Sequence, residues 1–301
     1  MASADGHTDI PVDPYLFTII DRTNMHKGNV ISRNFKIGGG YSDCVNVSIQ
    51  YDDHSHPISG KIQTIVYDEE CSKGVPLGRG EGSITMIKTL LRHVHKMIPE
   101  ITTFSFDDMS TVECGTDDEK RQSRHRKRGS HARPVSLYYL SIAFNGCTWY
   151  EKHFRATYRD EASHHAYRSR VDHFLHGESL PPFQDFLRSA NPPVELYSEL
   201  EALYEKAPHY MDFFSAIPKD RRCAHARTWL IPFIKGKMEG VFSNEGWVIH
   251  VLDMSPLQGG ALQKTRGSHG TCRKTRRRGG YSYPGGRIRH MGIGNDVGGD
   301  L

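Results

Sequence analysis

Residues 76–94 read "PLGRGEGSITMIKTLLRHV", a glycine-rich elbow that runs directly into an amphipathic helix. Gly78, Gly80 and Gly82 alternate with Arg79 and Glu81, so the backbone can adopt conformations closed to other residues and lie close to a ligand. From Ser83 the pattern changes. Ile84, Ile87, Leu90, Leu91, Val94 and Ile98 recur at three- and four-residue steps, which predicts one apolar helix stripe starting near Ser83 and stopping at Pro99. Free N–H groups, the positive end of the helix dipole and the charge of Arg79 all favour an anion at the elbow.

Working outward, two β-branched runs precede the elbow. "VNVSIQY" (45–51) and "KIQTIVYD" (61–68), joined by "DDHSHPISG", predict an antiparallel hairpin, and "ITTFSFDD" (101–108) predicts a third strand after the helix. Strand, elbow, helix and strand form a β-α-β unit with the elbow at a strand's carboxyl end, where α/β sheets present ligand sites. The first 15 residues are polar, with two prolines, and read as loose. "VSLYYLSIAFNG" predicts a hydrophobic helix stopped at Asn145-Gly146, and Thr148 and Glu151 have capping-box spacing for the next one. Residues 156–250 have a helical texture broken by Pro-Pro and Gly.

Charge is unevenly placed. Residues 119–133 carry seven Lys/Arg against one acidic residue, and 258–301 carry nine against two. Removing those +6 and +7 from the net +4 leaves a body near −9. The basic loop at 115–134 and the Gly/Arg-rich tail at 251–301 read as flexible, and such clusters favour nucleic acid or another acidic partner. No apolar run reaches the ~20 residues of a membrane span. There is no basic leader with an apolar core, so the expectation is an intracellular protein, cytoplasmic or nuclear. The six cysteines are scattered without a C-x-x-C pair, which argues against a zinc ribbon and a disulfide scaffold. The eighteen histidines include no H-E-x-x-H, so no metal site is assigned.

The elbow lacks the G-x-x-x-x-G-K-[ST] spacing of a Walker loop and the G-x-G-x-x-G gap of a dinucleotide fold. It does resemble the acetyl-CoA loop Q/R-x-x-G-x-G/A of the GNAT acetyltransferases. Arg79 and Gly82 match, and Ile84 stands at the final position. "TWYEKHF" (148–154) resembles the family's L-Y-E-K-x-G-F helix at Tyr150, Glu151, Lys152 and Phe154, with His153 in place of glycine. Divergent, extended proteins of large DNA viruses have the same general look.

The resemblance covers roughly residues 30–155. It implies an α/β (α+β) architecture, with a GNAT-like mixed sheet and flanking helices over 1–155, a helical domain over 156–250 and a disordered tail. It also implies acetyl transfer from acetyl-CoA to an amine, with a basic small molecule or a lysine-containing acceptor favoured by the acidic body. The CoA pyrophosphate would rest on Arg79, Gly80, Glu81, Gly82, Ser83 and Ile84, and the pantetheine arm beside Ile65, Val66 and Tyr67. Tyr150 would be the general acid. Asp107 is assigned as the base from among Asp107, Asp108, Asp68 and Glu69, which lie at strand ends. The alternative is a non-catalytic GNAT-like protein that binds nucleic acid or an acidic partner through its basic segments.

Overall fold

The computed structural model describes residues 3–38, 43–113, 134–177 and 179–255. Five antiparallel strands lead the chain: β1 (Ser3–Val12), β2 (Tyr15–His26), β3 (Asn29–Gly38), β4 (Asp43–Tyr51) and β5 (Pro57–Ile65). The predicted hairpin is β4 and β5, with Val45 opposite Ile65 and Gln50 opposite Ser59. The loose N-terminus predicted above is instead a strand, because β1 pairs along its length with β2. Its polar composition suits an edge strand, where Pro11 is tolerated.

After the elbow come helix α1 (Glu81–Met97) and strand β6 (Thr103–Phe106). Strands β7 (Thr111–Glu113) and β8 (Pro134–Ser136) form a separate antiparallel ribbon at the two ends of the basic loop. That loop and the basic tail lie outside the described residues, as do the expectations about their flexibility, except that Pro134 begins β8 and Val251–Asp253 form a 3-10 turn. Helices α2 (Leu137–Asn145) and α3 (Trp149–Phe154) follow, α2 closed by Gly146 in the left-handed conformation.

Residues 156–250 are helical in the main, but they also hold two short strands. Strand β9 (Thr157–Tyr158) and strand β10 (Trp247–His250) enclose helices α4 (Glu161–Asp172), α5 (Phe183–Ala190), α6 (Tyr197–Tyr204), α7 (Tyr210–Ala216), α8 (Arg222–His225) and α9 (Ile231–Lys237). Both strands return to the first sheet, whose order is β1-β2-β3-β4-β5-β6-β10-β9. The helical segment is therefore an insertion between adjacent strands, and its core is continuous with that of the sheet.

Packing follows the apolar periodicities. The stripe of α1 buries Ile84, Ile87, Leu90, Leu91 and Val94 against the face of the sheet that carries Phe35, Ile37, Val45 and Val47. The insertion is held by aromatic contacts. The ring of Phe186 lies 4.9 Å from Tyr204, 5.3 Å from Phe213 and 5.5 Å from Trp229. Each such ring removes a large apolar area from water and adds a favourable edge or face contact.

Strand β5 is parallel to β6, and their ladder is short. Only Gly60 with Phe104 and Lys61 with Ser105 are in register. Gly60 is required there, since a Cβ would come within 2.8 Å of the Phe104 ring. Beyond Lys61 the edge of β5 that faces β6 has no ladder partner. The elbow follows β5 and rests on Tyr15 at the start of β2, while Tyr150 of α3 packs on Phe106 at the end of β6.

Candidate functional site at the strand opening

The elbow is shaped by its own backbone. Gly80 caps α1 with φ of 71°, a left-handed conformation that favours glycine, and the first intrahelical bond runs from the Ile84 N–H to the Gly80 carbonyl. The N–H groups of Glu81, Gly82 and Ser83 therefore have no acceptor within the helix. Ile84 contributes no such donor, and its side chain is in the core. Arg79 is exposed, its guanidinium 4.8 Å from the centre of the Tyr67 ring. The Tyr67 hydroxyl donates to the Leu77 carbonyl at 2.9 Å.

Beneath the elbow lies a residue for which the sequence offered no signal. The Tyr15 hydroxyl accepts the Gly78 N–H at 3.4 Å, and a Cβ on Gly82 would meet that hydroxyl at 3.0 Å and Leu77 Cδ1 at 3.1 Å. Gly82 thus serves close packing, while Gly80 takes the conformation that needs a glycine.

The approach to the elbow is pinned to the sheet. Lys73 N–H donates to the Leu16 carbonyl at 2.8 Å, Leu77 N–H to Glu69 at 2.9 Å, and Cys71 is disulfide-bonded to Cys44 at the start of β4. Cys147 and Cys223 are disulfide-bonded as well. These bonds run against the expectation that the scattered cysteines form no disulfide scaffold: residues 27 apart in sequence meet because β4 and the segment after β5 are neighbours. Ile65 ends β5 and packs against the core, and the Val66 N–H is already given to the Cys44 carbonyl at 2.7 Å. The Val66 N–H is therefore not available to the pantetheine arm that the resemblance places beside it, and the open edge of β5 is the part before it.

Helix α3 carries the second group. Thr148 Oγ1 accepts the Glu151 N–H at 3.2 Å, and Glu151 Oε2 accepts the Thr148 N–H at 2.7 Å, completing the capping box. Glu151 also accepts the Tyr167 hydroxyl at 2.7 Å and Arg168 Nη1 at 3.3 Å. This carboxylate orients the helix and is spent on structure. Tyr150, one residue earlier, is buried with its ring 4.5 Å from Phe106 and 5.0 Å from Trp149. Burial, with the charge of Asp108 adding to it, holds the Tyr150 hydroxyl well above the usual tyrosine range, so it keeps its proton at neutral pH.

The two carboxylates after β6 separate sharply. Asp107 is on the surface, ion-paired to Lys61 at 3.0 Å across the β5–β6 ladder. Asp108 is 1 % exposed, and burial pushes its carboxyl up to about 6, the nearby Glu151 charge adding and two hydrogen bonds from Ser110 opposing. Ser110 N–H and Oγ both engage Oδ1. A buried carboxyl near neutrality within electrostatic reach of a protonated tyrosine is a combination that can remove one proton and supply another. Asp68 caps the 3-10 turn at Glu69–Cys71, away from this pair in its contacts.

The shift at Asp108 has a thermodynamic sign. Its folded value lies above the ordinary 3.8, so the fold binds the proton more tightly than the unfolded chain does. That contribution is complete below pH 3.8 and is lost as pH rises through about 6. Replacing Asp108 by Asn, which keeps the shape and a Ser110 acceptor, is expected to raise stability at pH 7 relative to pH 4 by up to ~3 kcal/mol compared with wild type. Urea midpoints at the two pH values measure this; an unchanged difference would place Asp108 in water.

Among the described residues, no group of three His, Cys, Asp or Glu side chains could hold a metal ion, and no helix is long and apolar enough to cross a membrane. Comparison with protein-family models, with curated proteins and with solved structures finds no match to this chain.

Proposed function

We propose that this chain is a GNAT-like acyltransferase that moves an acetyl group from acetyl-CoA to an amine. The observation that carries the reading is the elbow after β5, where Gly80 caps α1 at positive φ and the N–H groups of Glu81, Gly82 and Ser83 have no acceptor within the helix. Three aligned N–H groups at the start of a helix of 17 residues suit a pyrophosphate. Arg79 adds charge at its edge. The unladdered edge of β5 suits an extended arm with amide groups, which would bind as a strand does.

When bound, acetyl-CoA supplies the activated acyl group. Asp108, ionised above about pH 6, accepts the proton that an attacking ammonium must lose. Tyr150, protonated in its buried site, returns a proton to the departing sulfur. Asp107 is tied to Lys61 at the surface, so Asp108 replaces it as the base in this reading. The rate is expected to rise with pH through about 6 as Asp108 ionises.

Gly82→Val tests the elbow. Its methyl groups would crowd Tyr15 and Leu77, an overpacking cost of roughly 1–3 kcal/mol, and displace the N–H groups from the helix mouth. Release of free CoA thiol from acetyl-CoA in the presence of a polyamine should be detectable for wild type and lost for Gly82→Val. Equal rates would remove the elbow from the site.

A further inference from the structure

Helix α1 carries two cations that no step above uses, and both reach one residue, Ser255. The Lys88 ammonium donates to Ser255 Oγ at 2.8 Å, and Arg92 Nη2, one helical turn on, donates to the Ser255 carbonyl at 2.6 Å. Lys88 is only 7 % exposed, with its ammonium 5.9 Å from the centre of the Phe154 ring.

Charge here is one-sided. Among the described residues, neither Lys88 nor Arg92 forms an ion pair with a carboxylate; their hydrogen bonds go to a hydroxyl and to carbonyls. Burial, with Arg92 and Arg155 adding to it and the exposed Glu81 opposing, holds the Lys88 ammonium below its usual range, and burial does the same to Arg92. Three cations therefore meet one carboxylate, and a buried ammonium without a counter-charge gains from an anion brought to it.

The group already bonded to Lys88 is a hydroxyl that can carry such an anion. Met254 is buried and Ser255 exposed, so the chain surfaces at the serine. Met254 is extended, with φ of −65° and ψ of 131°, and a residue before proline is held extended as well. Pro256 follows Ser255, and this is the sole Ser-Pro or Thr-Pro step in the sequence. Protein kinases take acceptor hydroxyls from exposed, extended segments, and one class of them requires proline after the acceptor.

We propose that Ser255 is a phosphorylation site whose phosphate is held by Lys88 and Arg92. A proline-directed kinase transfers the γ-phosphoryl group of ATP: the bond from Ser255 Oγ to phosphorus forms, the bond from that phosphorus to the β-phosphate oxygen breaks, ADP leaves, and the hydroxyl proton passes to the kinase's base. The phosphate brings about −1.5 to −2 of charge and three acceptor oxygens at neutral pH. It meets the ammonium that already bonds Oγ and the guanidinium that already bonds the carbonyl of the same residue, and charge-assisted bonds to both tie the start of the Gly/Arg-rich segment to α1. The site does not depend on the acyltransferase reading.

The full chain is incubated with a proline-directed serine/threonine kinase and ATP, under conditions that modify a Ser-Pro peptide. Mass spectrometry is expected to find phosphate on Ser255, and Ser255→Ala to remove it. Phosphorus NMR of the modified chain then follows the second ionisation of the phosphate, which lies near pH ~6 when the group is in water. Held by two cations, it should fall by roughly half a unit or more. Lys88→Met removes a buried charge that has no ion pair, and Arg92→Gln keeps an amide donor, so both keep the fold; each should move the ionisation back toward its value in water. No phosphate on Ser255 while the peptide is modified would overturn the proposal. So would an ionisation left near pH ~6, or one that is lowered but unmoved by both variants, since the phosphate would then belong to water or to the cations of residues 258–301.

Discussion

Tyr150→Phe is expected to lower kcat by roughly 10²- to 10⁴-fold while the affinity for acetyl-CoA stays within about twofold of wild type. The ring is what packs against Phe106, Trp149 and Phe154, and phenylalanine keeps it. Only the hydroxyl and its proton are removed. Loss confined to kcat would mean that the hydroxyl acts after binding, as a proton donor must. An unchanged kcat would make Tyr150 a packing residue, and a matched fall in stability would point to a structural hydroxyl.

Glu151→Ala should be among the most destabilising single substitutions in the chain, at roughly 3–5 kcal/mol. Its carboxylate is buried and meets the Thr148 N–H, the Tyr167 hydroxyl and the Arg168 guanidinium. Truncation would leave a guanidinium with the exposed Asp172 as its remaining carboxylate, at 3.1 Å, and would uncap α3. The conservative Glu151→Gln retains a side-chain oxygen for the cap and should lose less than half as much. Urea unfolding separates the two variants. A loss below about 1 kcal/mol for Glu151→Ala would mean that water already reaches this network. The contrast with Tyr150 is informative, because the two predictions assign adjacent residues of one short motif to chemistry and to structure.

How far the sequence could be read depended on whether each signal was local. Helix α1 was legible because Ile84, Ile87, Leu90, Leu91 and Val94 repeat within one element, and it begins at Glu81, close to the predicted Ser83. The β4–β5 hairpin and the Thr148–Glu151 capping box were legible for the same reason. Strand β1 was not, since an exposed edge strand has no buried face to reveal an alternation. Strands β9 and β10 are too short to carry a period, and they pair only after a long helical insertion. Tyr15 reaches the elbow and Cys71 reaches Cys44 through the order of the sheet, which composition does not contain.

The two aspartates after β6 show the same limit most plainly. Successive side chains along an extended segment point to opposite sides. One of Asp107 and Asp108 had to face water and the other the interior, and which faced inward followed from the register of β6 with β10, where Phe106 lies opposite Trp247. Both aspartates were named by their type, and the fold sorted them into a surface ion pair and a buried carboxyl.

The most direct measurement of the central claim is a calorimetric titration of the full chain with acetyl-CoA. The prepared elbow and the open edge of β5 predict saturable binding to one site per chain, with a dissociation constant below about 1 mM, or at least ~4 kcal/mol of binding free energy. No saturable heat up to millimolar acetyl-CoA would contradict the account: the elbow would then be a strand-to-helix turn packed on Tyr15, and the Asp108–Tyr150 pair would serve some other chemistry or none.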